Sequence, residues 1–420
     1  MRIGLFTDTY HPAANGIVAV VDITRKQLEL AGHEVFIFCP GVRSDVSLNS
    51  DDHVIRFPSL PTGLFDDNRL SMFFPPVVMR QIRELEFDVI HFFTPLQVGL
   101  MGVYAAERTG AILIGQHSTD FYEYVKHYPQ VLPGLLALGT TLPFTIKFDE
   151  VDIRTLLSMY RPQREPLKWN RGIVEKSMAL IYSRCDAVVA LSRKNMRQLK
   201  SWRNEYYFDL VLMPTGIDPL PKSTAAARKE FRAAWGIEKD DQLIGYIGRL
   251  GAEKNLDLLI DAFCRLAPKR PNLKLVFVGN FDYREELERL ADETGYGDRV
   301  IFTGRLPRDE LDVVYRQLDV FLFPSVTDTQ GLVVHEAALA GCPLVLVDKL
   351  VSEVLIDGEN GFFASESGLG ISRKVEKILD DPELKQRFSA RSIELAKQYS
   401  ERTQVRKQIN LYEELIERNQ

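Results

Sequence analysis

Short, nearly unbroken apolar runs alternate with stretches of helical periodicity along most of this chain, and that alternation constrains the fold more than any other feature. RIGLFTD is followed by a helical stretch from about Val18 to Ala31, then by EVFIFCP and HVIRFP. A helical stretch near Val77 to Glu86 leads to DVIHFFTP, and one near Val98 to Arg108 leads to AILIGQHS. Strands that are apolar at every position, rather than at alternate ones, belong to parallel sheets covered on both faces by helices. Gly32 and Gly110 fall where helix C-termini should end.

From Asp120 to about Arg203 the rhythm gives way to an aromatic, proline-containing and basic region, predicted as irregular and helical excursions before the strand DAVVALS. LVLMP then leads into Thr215-Gly216-Ile217-Asp218-Pro219 and a polar stretch. The alternation restarts at LIGYIGR and continues through LKLVFVGN, VIFTG, FLFPSV and PLVLV. A helix near Lys254 to Leu266 and another near Asp309 to Gln317 are expected on the way, with a short helix after PLVLV and a wholly helical C-terminal end. The reading is an α/β protein with two Rossmann-like domains facing a cleft, 1–215 and 216–400, and a C-terminal helix over 401–420. The two halves share an architecture without a repeat of fixed period.

The apolar fraction of 45% and the charged fraction of 26% are ordinary for a globular protein. A net charge of −6 argues against a general nucleic-acid binder. Cys39, Cys185, Cys264 and Cys342 lie in apolar runs without metal-ligand spacing and are expected to be buried free thiols. The first residues already read as a strand rather than a leader, and no apolar run is long enough for a membrane span. A cytoplasmic protein is expected, with peripheral attachment to the inner face of the cell membrane left open.

No G-x-G-x-x-G follows a strand, and no G-x-x-x-x-G-K-[ST] or D-x-D is present. A bound diphosphate would therefore be neutralised by backbone N–H groups and cationic side chains, with no metal and no further cofactor. Arg249 and Lys254 follow the strand LIGYIG, with Gly248 and Gly251 allowing close approach. In isolation they would be solvated surface charges; after a buried strand they can neutralise a leaving group. Asn15-Gly16 is a turn signal, and Gly16 would also admit a phosphate against the backbone. His117 ends a strand, where such sheets bind ligands, although a lone histidine equally suits a core. Glu336 sits on an otherwise apolar helix and needs a partner, for which a ribose diol and a salt bridge both qualify. Asp328 alone would read as a helix cap. Between Val151 and Arg203, twelve Lys/Arg face four Asp/Glu, interleaved with aromatic and aliphatic residues. That suggests either a headgroup-level membrane contact or a solvated helix face. Residues 131–144, apolar but interrupted by Pro133, Gly134, Gly139 and Pro143, read as a membrane-dipping or acceptor-lining loop, or as core.

Taken together and in order, these motifs resemble the retaining glycosyltransferases of family 4, which have the two-domain GT-B fold and include bacterial glycolipid glycosyltransferases. The family's E-x7-E signature is matched by Asp328-x7-Glu336 within SVTDTQGLVVHEAALAGCPLV. GRLGAEKNLDLLIDAF, MPTGID, GQHSTDFYEY and TDTYHPAANGI resemble the diphosphate segment, the interdomain connection, the H-T-D-F segment and the glycine loop. The resemblance implies that Glu336 binds the ribose and that Arg249 and Lys254 bind the diphosphate. It implies that Asp328, Gln330, Gly331 and Leu332 hold the transferred sugar, with His117 beside it. Retention at the anomeric carbon by a front-face mechanism, and a final helix returning to the N-terminal domain, are further implications. Asp328 departs from the family's glutamate.

The expected activity is hexosyl transfer from a UDP- or GDP-sugar to a membrane-associated lipid acceptor. Asp120, Arg161, Arg164, Lys168 and Trp169 are candidates for the acceptor or membrane surface. A soluble sugar or polysaccharide acceptor, an epimerase or phosphorylase on the same scaffold, and a non-catalytic nucleotide-binding module are the alternatives.

Overall fold

The structure, a computed structural model, describes all residues except Ala14, 42–50, 62–68, 121–131, 160–165, Glu205 and Gln420, and the side chains of 135, 138, 151, 156 and 166–169. The chain divides into two compact units, Met1–Thr215 with Glu401–Gln420, and Gly216–Ser400.

In the first unit the apolar runs become β1 (Arg2–Phe6), β2 (Glu34–Pro40) and β3 (Val54–Phe57). After a small antiparallel hairpin of β4 (Ser59–Pro61) and β5 (Arg69–Ser71) come β6 (Val89–Phe92), β7 (Ile112–His117), β8 (Ala187–Ala190) and β9 (Leu210–Leu212). The main sheet is parallel, in the order β3-β2-β1-β6-β7-β8-β9. Every residue of β6, β7 and β8 is buried, which is why these strands read as continuous apolar runs. Phe6 and Phe38 stack with centroids 4.4 Å apart under the covering helices.

The C-terminal helix Glu401–Asn419 packs on this first unit. Lys26 Nζ and Gln27 Nε2, from the helix Gly16–Leu30, each donate to Glu401 Oε2 at 3.0 Å. Further along, the buried Tyr412 hydroxyl lies 2.6 Å from His91 Nδ1 on β6, and Gln408 Nε2 donates to the same nitrogen at 3.0 Å. Buried polar groups satisfied in this way fix one register of the helix against the sheet.

The second unit holds β10 (Gln242–Ile247), β11 (Leu273–Val278), β12 (Val300–Gly304), β13 (Val320–Phe323), β14 (Leu344–Leu346) and β15 (Gly361–Phe363). They form a parallel sheet in the order β12-β11-β10-β13-β14-β15. The short helix expected between β14 and β15 is replaced by bends and turns. The buried Asn360 carboxamide takes over the backbone there, donating to Val354 O and accepting from Ile356 N–H, both at 2.9 Å. Of the alternatives for residues 131–144 the loop does not hold: Leu132–Thr145 is a helix with Pro143 inside it, one of the helical excursions expected of this region. Of the four free cysteines, three are buried as expected, whereas Cys264 is only half-buried.

Candidate active site

Strand order reverses between β10 and β13, with β11 and β12 on one side and β14 and β15 on the other. In an open parallel sheet the loops leaving two such strands diverge and leave a ligand crevice at their carboxyl ends. The Arg249–Lys254 segment leaves β10 and the Asp328–Leu332 segment leaves β13, so both families of candidate residues arise at this reversal.

The β10 loop is pinned by backbone. Gly248, at φ 150°, donates its N–H to Val278 O at 2.9 Å. A Cβ on Gly279, at φ 138°, would fall 1.9 Å from Gly248 O, so only glycine permits the two strand-end loops to touch. The expected helix from Lys254 is broken: Ala252–Lys254 is a 3-10 turn, Asn255 turns left-handed at φ 55°, and the α-helix is Asp257–Leu266. Glu253 is buried and accepts from Arg249 Nη2 at 2.5 Å, while Lys254 Nζ lies 3.7 Å from the same carboxylate oxygen. Lys254 Nζ donates to Asp328 Oδ1 at 2.9 Å, and Thr327 Oγ1 donates to Glu253 O at 3.1 Å. Two cations and two carboxylates are thus interleaved across the two loops. The Arg249 guanidinium also sits 4.5 Å from the Phe281 ring centroid, which orients it by a cation–π contact. The buried Tyr246 hydroxyl, pushed well up by burial and by the Asp328 and Glu253 charges, donates to Arg249 O at 3.3 Å.

Gly331, at φ 69° and with a virtual Cβ 3.1 Å from the Phe323 ring, starts the helix Leu332–Ala340. The first N–H groups of that helix have no intrahelical acceptor and suit an oxygen-rich ligand. The buried Gln330 carboxamide lies 3.4 Å from His335 Nδ1, whose ring stacks on Tyr399. One helical turn beyond Leu332, Glu336 is buried and engaged: Arg308 Nε and Nη2 donate to Oε1 at 3.1 and 3.0 Å, and the Tyr315 hydroxyl donates to Oε2 at 3.0 Å.

In the first unit, Asn15-Gly16 is a helix start rather than a tight turn. Asn15 Oδ1 accepts from the N–H of Ile17 at 3.0 Å and of Val18 at 3.2 Å, and Gly16 is exposed at the first helical position. His117 ends β7 fully inside the unit, with Nδ1 2.9 Å from the Tyr182 hydroxyl and its ring edge-on to Trp202. Burial, outweighing the opposing pull of Asp120, lowers its pKa to about 4, so at neutral pH it is a neutral hydrogen-bonding group. Asp120 is buried and accepts from Gln198 Nε2 at 2.8 Å. Arg161 and Arg164 lie outside the described residues, as do the side chains of Lys168 and Trp169 in the helix Pro166–Tyr182. On the two helices that precede them in the chain, Leu132–Thr145 and Glu150–Met159, Phe144 and Leu157 are more than two-thirds exposed and Ile153 is half exposed, next in sequence to the exposed Arg154. Among the described residues no helix is long and apolar enough to cross a membrane, and no group of three His, Cys, Asp or Glu side chains is arranged to hold a metal ion.

Burial also lowers His91 to about 3 and His335 to about 4, against an ordinary 6.5. The folded chain keeps these three imidazoles neutral while the unfolded chain protonates them, so their stabilisation is complete above about pH 6.5 and is lost progressively towards pH 4. Thermal melts should show a falling midpoint below about pH 6.5 that becomes shallower in His91→Gln; an unchanged midpoint down to about pH 4.5 would contradict the burial of these rings.

The description "Glycosyltransferase Family 4" matches residues 14–219, and "Glycosyl transferases group 1" matches residues 227–395. The two matches together span most of the chain, and the chain is a family 4-like glycosyltransferase. The enzyme is 27% identical over 349 residues to an alpha-monoglucosyldiacylglycerol synthase of Streptococcus pneumoniae, covering 82% of this chain and 70% of that one. It is 24% identical to the alpha-monoglucosyldiacylglycerol synthase of Acholeplasma laidlawii, covering 100% and 98% of the two chains. The solved structure of Anabaena HepE in complex with UDP and glucose superposes with a TM-score of 0.70 at 17% identity, over 99% of this chain and 100% of that one. That likeness establishes the GT-B fold of the glycosyltransferase.

Three functional candidates were not apparent in the sequence. Glu253 was hidden inside the AEK turn, although its spacing of four from Arg249 was a usable signal. Arg308 and Tyr315 pair with Glu336 from 28 and 21 residues away, through a sheet order that periodicity does not reveal.

Proposed function

We propose that this glycosyltransferase moves a hexosyl group from a UDP- or GDP-sugar to a membrane-associated lipid, with retention at the anomeric carbon. The observation that carries the reading is the Lys254–Asp328 bond, which joins the β10 and β13 loops where the strand order reverses. Arg249 and Lys254 take the diphosphate, and their charges meet the negative charge that grows as the anomeric C–O bond breaks. Asp328 and the Gln330-Gly331-Leu332 helix start hold the sugar hydroxyls. In the absence of a glutamate at 328, the shorter aspartate arm stays within reach of Lys254, so sugar and leaving group are gripped by one linked pair. Glu336 holds the ribose. The acceptor oxygen bonds to the anomeric carbon on the face the leaving group vacates, and its proton passes to the departing phosphate oxygen. The products are the nucleoside diphosphate and the glycoside. These side chains supply the positive charge, so the proposal assigns no metal and no other cofactor.

A lipid acceptor is supported by the two diacylglycerol-glucosylating relatives and by the exposed Phe144, Ile153 and Leu157 beside basic residues. An aliphatic side chain buried in the interface contributes about 1.5–3 kcal/mol. Leu157→Asp with Ile153→Asp is therefore expected to weaken binding to phosphatidylglycerol vesicles by roughly tenfold or more in co-sedimentation. Unchanged vesicle binding, with full activity on soluble sugars in detergent-free buffer, would point to a soluble acceptor instead.

A further inference from the structure

Gly251 has an extended backbone, φ −100° and ψ 151°, which any residue can adopt. What demands glycine there is the side chain two residues on. A Cβ at 251 would fall 2.8 Å from both Cδ and Oε1 of Glu253, and closer still to Oε2. The gap is therefore filled by the protein's own carboxylate rather than left open for a ligand. Glu253 sits in it with its side chain only 3% exposed, and pairs at 2.5 Å with Arg249 Nη2, whose side chain is 37% exposed. The Phe281 ring, its centroid 4.5 Å from Arg249 Cζ, holds the same guanidinium from another side. An arginine gripped by a buried carboxylate and an aromatic ring has its orientation set before any ligand arrives. We infer that Glu253 is a positioning residue that holds the Arg249 guanidinium in its diphosphate-binding stance, with Gly251 as the gap that seats it.

This inference rests on the proposed diphosphate role of Arg249 and adds the means by which that role is met. Lys254 has a nearer carboxylate of its own, Asp328 at 2.9 Å against 3.7 Å for Glu253, so Glu253 belongs first to Arg249. A carboxylate beside a diphosphate also repels it, and for that reason charge and positioning predict opposite results. If Glu253 acted only as a counter-charge, moving it away would tighten nucleotide binding; if it holds Arg249 in place, moving it weakens binding. Gly251→Ala separates the two effects. It keeps the negative charge, and because the clashing atoms are the far end of a flexible side chain, the carboxylate moves rather than the backbone.

The test is a double-mutant cycle read by calorimetry on the full chain, with UDP and, in parallel, with GDP. Gly251→Ala is expected to weaken binding of the nucleoside diphosphate by roughly tenfold, a coupling of the size usual within one charge network. In an Arg249→Met background, where no guanidinium is left to hold, the same substitution should change affinity by less than about twofold. Glu253→Ala, which leaves Gly251 untouched, provides a second variant. It should weaken binding in the unmodified background and tighten it in Arg249→Met, where only the loss of its charge is felt. Gly251→Ala that leaves binding unchanged, or that loses the same factor in both backgrounds, would overturn the inference while leaving the diphosphate role of Arg249 standing. Glu253→Ala that tightens binding in both backgrounds would overturn it as well. Arg249→Met that binds as tightly as the unmodified enzyme would overturn the diphosphate role and the inference with it.

Discussion

Lys254→Ala is expected to lower kcat by roughly 10²–10³-fold, the usual consequence of deleting one group that meets charge developing in a transition state. Lys254 Nζ has two carboxylates within reach, Asp328 at 2.9 Å and Glu253 at 3.7 Å, and its side chain is only 12% exposed. In the proposed role, removing it strips a cation from beside the diphosphate and leaves the β10 and β13 loops without their ion pair, though still joined through Thr327 and Glu253 O. Because the leaving-group charge grows only as the bond breaks, kcat and kcat/KM should fall together, with a smaller change in donor KM. Stability should change little, since Asp328 remains partly solvated. Single-turnover transfer assays decide the matter: a variant that keeps full kcat and loses only affinity would remove Lys254 from the chemical step.

Glu336→Gln should give the opposite kinetic signature. The ribose does not react, so an interaction with it is made equally in ground and transition states and appears mainly in KM. A hydrogen bond to a charged group contributes about 1.5–3 kcal/mol, which corresponds to a rise of roughly tenfold to a hundredfold in donor KM with kcat largely kept. Glu336→Ala should cost more. It leaves the buried Tyr315 hydroxyl without its nearer acceptor, at about 1–3 kcal/mol of folding stability. Steady-state kinetics on both variants, beside their melting temperatures, separate the ribose role from the packing role. A Glu336→Gln enzyme with unchanged donor KM would make the carboxylate a purely structural partner of Arg308.

The parallel α/β architecture of both units was legible in the sequence because their strands are covered on both faces. Runs such as AVVA and VFLF carry no polar face, and helices such as Arg193–Ser201 and Arg284–Glu293 carry a clear one. The β4–β5 hairpin was not legible: three-residue strands containing Ser59 and Pro61 have no period to detect. The missing helix after β14 shows the same limit from another side. Its backbone is satisfied by the Asn360 side chain, a long-range substitute for helical bonding that local propensity cannot register. At the site, Arg249 and Lys254 stood out because they follow a buried strand, and Glu336 because it lies on an apolar helix, whereas Asp328 alone read as a helix cap and gained its role only from the family resemblance. Sequence order did not show which partners they meet. The Arg308–Glu336 and Lys254–Asp328 pairs exist because β12 and β10 are brought into one sheet with β13, a fact of topology rather than of spacing.

A crystal structure of the enzyme with UDP or GDP bound tests the central claim most directly. Diphosphate oxygens are expected within hydrogen-bonding distance of Arg249 and Lys254, with the ribose donating to Glu336. A nucleotide seated away from the carboxyl ends of β10 and β13, with the Lys254–Asp328 and Arg308–Glu336 pairs untouched, would contradict it.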